Sequence, residues 1–79
     1  VNELYDIANS ISDEEIKIFL IASINQIISS DDRFVELKVH YLTGQLMMIC
    51  YFKHITEFDY NKCLSILSEY VKQRKRKKA

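Results

Sequence analysis

The chain contains no proline, and its single glycine, Gly44, falls inside a stretch of helical periodicity. Glycine and proline mark most turns, and proline breaks helices. A 79-residue chain without those breaks, with apolar residues recurring at helical spacing along it, predicts consecutive helices joined by very short turns. The expected fold class is all-α: a compact bundle of three long helices plus a short N-terminal helix. Residues 1–72 form the expected helical domain, and residues 73–79 a basic C-terminal tail. A chain this short buries only about 60% of its unfolded surface, so a partner chain is a natural source of extra stability.

The first helix is predicted from Asn2 to Ile11, with Leu4, Ile7, Ala8 and Ile11 on one side. The next start carries a capping-box pattern, with Ser12 as the cap, Glu15 reaching back, and Ile11 and Ile16 as the hydrophobic staple. That helix runs to about Ile28 on the stripe Ile16, Leu20, Ile21, Ile24, Ile27 and Ile28, with Ile18, Phe19 and Ala22 on its other side. Ser29, Ser30, Asp31 and Asp32 open a third helix reaching about Lys53.

This third helix has two apolar seams. One is Val35, Val39, Leu42, Leu46 and Ile49, with alternating steps of four and three. The other is Phe34, Leu37, Tyr41, Met48 and Phe52, more than a third of a turn away, with Gly44 beside it. The missing side chain there permits close approach of another helix. Thr56 and Asp59 repeat the capping pattern, with Ile55 and Tyr60 as staple. They open a fourth helix carrying Tyr60, Cys63, Leu64, Leu67, Tyr70 and Val71 on one face. Like charges at Lys72/Arg76 and Arg74/Lys78 predict fraying from about Gln73.

The net charge of zero conceals a division. Residues 1–71 hold all eleven acids but only five bases, leaving −6, while Lys72 to Lys78 contributes +6. Such a split suggests an interaction tail on a globular body. A dense basic run neutralises phosphates with little sequence preference, or serves as a nuclear-import signal in a eukaryotic or viral setting. No aromatic residue is interleaved in it, so base stacking is not indicated. A DNA-reading recognition helix is not expected either, because the predicted helix starts carry Asp13, Glu14, Glu15, Asp31, Asp32 and Glu57, which repel phosphate.

No residue pattern points to chemistry. His40 and His54 lie roughly 21 Å apart along a helix and cannot share one ion. Glu36 and His40 are correctly spaced for two metal ligands but lack a third. Cys50 and Cys63 have no zinc-site spacing and read as reduced, buried hydrophobes of a cytoplasmic protein. The paired acids sit where helix N-termini favour them, and one glycine makes no phosphate loop. No enzyme activity, cofactor or metal is expected. The first residues, with Asn2, Glu3 and Asp6, do not read as a secretory signal. The longest apolar run, Leu46 to Phe52, is too short to span a bilayer. A composition rich in lysine, isoleucine and asparagine suits an AT-rich phage or viral genome.

The functional expectation is a non-enzymatic interaction or regulatory protein, acting as a homodimer or with a helical protein partner. Phe34, Leu37, Tyr41, Met48 and Phe52 are the expected partner surface. Lys72, Arg74, Lys75, Arg76, Lys77 and Lys78 are the expected nucleic-acid contact. The competing expectation is a pure protein-binding module, of inhibitor or immunity type, whose acidic body carries the function. Localisation is expected to be cytoplasmic, or nuclear in a eukaryote or its virus.

Overall fold

The computed structural model describes residues 1–78, with side chains described as far as Arg76. Four helices follow in order: α1 (Asn2–Asn9), α2 (Glu14–Ile28), α3 (Asp32–Tyr51) and α4 (Glu57–Lys78). There is no strand among the described residues. α1 and α3 each pack against both α2 and α4, so α1 and α3 lie diagonally across one core. The molecule measures 40 × 21 × 20 Å, and α4 accounts for most of its length at about 33 Å.

Each helix contributes one stripe to the core. Eight residues are too few for a stable isolated helix, so α1 depends on packing. Leu4, Ile7, Ala8 and Ile11 are all buried, as their spacing predicts. The Tyr5 hydroxyl donates to Asn25 Oδ1 of α2, and Glu3 pairs with Lys62 of α4 at 3.3 Å. α2 supplies Leu20, Ile24 and Ile27, α3 supplies Val35, Val39, Leu42, Leu46 and Ile49, and α4 supplies Cys63 and Leu67. The expected stripe of α2 is narrower in fact: Ile16 and Ile21 are partly buried and Ile28 is exposed.

The helix ends show where local chemistry was read correctly. Thr56 Oγ1 accepts the Asp59 N–H at 3.0 Å, with Ile55 buried and Tyr60 packed on the core beside it. That is the N-cap bond of the expected capping box, with both residues of the expected staple at the core. The cap of α2 is different. Asp13, not Ser12, holds the N-cap position, and its carboxylate accepts the Ile16 N–H at 3.1 Å. Asp13 places an acceptor at the same reach as Ser12 one residue later, and its negative charge also suits the helix dipole.

α3 begins on Asp31, which accepts the Arg33 N–H at 3.0 Å, and it ends at Tyr51, short of Lys53. Phe52 is the C-cap and Lys53 turns left-handed at φ 65°. The Lys53 N–H donates to Cys50 O at 2.9 Å and the His54 N–H to Ile49 O at 3.0 Å. This pair of bonds is a Schellman termination, made here without glycine.

α4 spans Glu57–Lys78 and so extends past Gln73, where fraying is expected to begin. Arg74 supplies the reason. Its Nε donates to Asp32 Oδ1 at 2.6 Å and its guanidinium donates to Ser30 O and to the Tyr70 hydroxyl, both at 2.7 Å. These contacts fasten the last turns of α4 to the start of α3 and offset the repulsion between neighbouring cations.

Candidate functional site

α3 is the element on which the candidate partner surface is built. At 100° per residue, its core stripe and its second seam point roughly 125° apart. α2 and α4 flank the helix on either side, so the side away from the core faces outward. Phe34, Leu37, Tyr41, Met48 and Phe52 all lie there, each between 48% and 74% exposed. Tyr51, outside the expected partner surface, is also on this side and is 75% exposed. Its signal was present in the spacing: Phe34, Leu37, Tyr41, Gly44, Met48 and Tyr51 alternate steps of three and four.

Together these side chains offer roughly 700 Å² of apolar surface, more than the largest patch on a typical monomer. Phe19 and Ile18 of α2 are exposed as well. Tyr41 and Gln45 line a groove with Ser23 and Gln26 of α2, which shows that the outer face of α3 continues towards that helix.

The candidate basic surface is divided. Arg74 is engaged by Asp32, Ser30 and Tyr70, its guanidinium lying 5.6 Å from the centre of the Tyr70 ring. The Tyr70 hydroxyl and the Asp32 carboxylate hold this guanidinium charged to still higher pH than usual. Lys75 pairs with Glu36 at 2.8 Å, and that bond and charge keep the Glu36 carboxyl below its ordinary range. Lys72 and Arg76 are exposed on α4. The side chains of Lys77 and Lys78 lie outside the described residues.

The residues weighed for chemistry are scattered. Glu36, spaced to join His40 on a metal, is ion-paired to Lys75 instead. Among the described residues no three His, Cys, Asp or Glu side chains converge to hold a metal ion. Cys50 and His54 share an open surface depression with Ser10, Thr56 and Asp59 at the α3–α4 turn. Neither cysteine is in a disulfide, but only Cys63 is fully buried; Cys50 is half-buried at the margin of the core. Burial pushes the Cys63 thiol up to about 11, with Asp59 adding to the effect. No helix of the described residues is long and apolar enough to cross a membrane.

The class these features define is an all-α four-helix bundle with one helix presenting an apolar outer face. Comparison with family models, curated proteins and solved structures finds no match to the chain.

Proposed function

We propose that the chain is a non-enzymatic interaction protein that self-associates through the outer face of α3 and uses the basic end of α4 to attract nucleic acid. The observation that carries this reading is the exposed seam. Hydrophobic side chains of this size and number are stable in a small bundle when a second surface covers them. Their aromatic and methionine character is that of interface cores. The basic run lies alongside the first turns of α3, so a dimer formed on the seam presents two cationic patches to phosphates. Attraction of that kind is salt-steep and largely indifferent to sequence.

A second reading is favoured by the pairing of Arg74 with Asp32 and of Lys75 with Glu36. Part of the basic run is thereby used within the fold. In this reading the protein is a binding module for another protein, of inhibitor or immunity type, and the cations only order α4.

Two measurements separate the readings. Sedimentation of the protein is expected to show a dimer, and Met48→Gln with Phe52→Gln to return it to monomer with its helix content intact. Fluorescence anisotropy with labelled duplex DNA and single-stranded RNA is expected to show binding that weakens steeply with salt. Replacing Lys72, Arg76, Lys77 and Lys78 with glutamine, while keeping Arg74, is expected to abolish it. Equal binding by both forms, or none by either, would move the protein-binding reading into first place.

A further inference from the structure

Gly44 is misplaced by the rules of the helix that contains it. It sits mid-way along α3, and glycine is among the poorest helix formers. No glycine has positive φ, so the backbone does not require it. A Cβ built on it meets nothing within 4 Å, so no neighbour within the chain requires it either. The remaining physical reason for glycine is close approach by something outside the chain.

Its position says what approaches. Phe34, Leu37, Tyr41, Gly44, Met48 and Tyr51 form a heptad seam of three-and-four steps on the outer face. The seam reads symmetrically. Laid antiparallel against a second copy, it sets Phe34 opposite Tyr51, Leu37 opposite Met48, and the large Tyr41 opposite the vacancy at Gly44. Every layer then joins a pair whose residue numbers add to the same total, as an isologous two-fold contact demands.

The parallel alternative is worse on two counts. It stacks Gly44 on Gly44, leaving a void, and it brings Arg33 beside Lys38 of the other copy, like charges at the flanking positions. The exposed area fits too: roughly 700 Å² per copy is close to the ~800 Å² that each partner of a standard interface buries.

We infer that α3 pairs with α3 of a second copy, antiparallel about a two-fold axis near residues 42 and 43, with Gly44 receiving Tyr41 of the other chain. This rests on the self-association reading and assigns its geometry.

The test uses Gly44→Gln in sedimentation over a concentration series, together with melts of dilute protein. The isolated chain has room for the new side chain, so its melting temperature should hold or rise. The dimer should weaken about tenfold to a hundredfold, the range that overpacking a close contact produces. Orientation is read separately, by mixing Leu37→Cys and Met48→Cys chains in a Cys50→Ala background under a redox buffer. The antiparallel pair yields the mixed disulfide between positions 37 and 48 and no 37–37 product, whose α-carbons would lie about 16 Å apart along the helix axis alone. A dimer indifferent to Gly44→Gln, or one that gives the 37–37 product, overturns the geometry and leaves self-association standing. A wild-type chain that stays monomeric at all concentrations overturns both.

Discussion

The two faces of α3 follow the same rhythm and differ in what they carry. The inner face steps by four and three through Val35, Val39, Leu42, Leu46 and Ile49, and every one of these is buried. The outer face steps by three and four through Phe34, Leu37, Tyr41, Gly44, Met48 and Tyr51, with every side chain exposed. Periodicity therefore locates a face but does not say what covers it. Composition does. The inner face is built only from branched aliphatics with few rotamers, which suit a small, densely packed core. The outer face is rich in aromatics and methionine, which cover large areas and adapt to a partner.

The sharpest way to break this comparison is truncation on each side. Leu46 is fully buried, so Leu46→Ala is expected to cost about 2–5 kcal/mol of folding stability. Leu37→Ala, measured by urea unfolding of dilute monomer, should stay within about 0.5 kcal/mol of the parent. Equal costs would mean that the outer face belongs to the fold. At high concentration the Leu37 variant should lose stability as well, because a partner that binds only the native state stabilises it by mass action.

The thiols extend the comparison from α3 to α4. Cys63 is inside, with its thiol raised from the ordinary 9.0 to about 11 by burial first and Asp59 second. A raised value means that stability is whole below the ordinary thiol range and falls as pH climbs from 9.0 through about 11. The full loss amounts to roughly 2–3 kcal/mol. Cys63→Ala should remove that part of the alkaline decline, as read from unfolding at pH 8 and pH 11. Half-buried Cys50 should react with a thiol reagent in native protein, and Cys63 only at the rate of opening.

Much of the bundle was legible in the sequence because local signals and burial agree. The inner stripe of α3, the apolar face of α1 and the Thr56 cap all follow from spacing and cap chemistry. Where two local signals competed, the pattern alone failed. Ser12 with Glu15 matches the capping box, yet Asp13 makes the bond. Asp13→Ala should accordingly cost about 1 kcal/mol, while Ser12→Ala should cost no more than a few tenths. A thermal melt of each settles the order, and a larger loss at Ser12 would restore the capping box. The helical span of α4 beyond Gln73 was illegible for another reason. Its support comes from Arg74 reaching Asp32 and Ser30, more than forty residues away in sequence, while the local charges argue for fraying. Spacing alone gives the outer seam, and Tyr51 completes its alternation with Gly44 although it lies outside the expected partner surface.

Gly44 within α3 and Lys53 just past its end break local backbone rules in opposite senses, and the contrast bears on which face does what. Gly44 occupies ordinary helix, where alanine would be better by about 1 kcal/mol in the isolated chain. Lys53 occupies left-handed backbone, where glycine would be better by about 1 kcal/mol. Rules broken without an internal reason mark function more often than accident. At Gly44 the proposed reason is Tyr41 of a second copy. At Lys53 the left-handed turn completes the Schellman bonds to Cys50 and Ile49, which any residue able to adopt it can make. Lys53→Gly should therefore raise the melting temperature of the monomer and leave the dimer constant unchanged, whereas Gly44→Ala should raise the first and weaken the second. A Lys53→Gly chain whose association also weakened would place the turn after α3 inside the interface and lengthen the contact beyond Phe52.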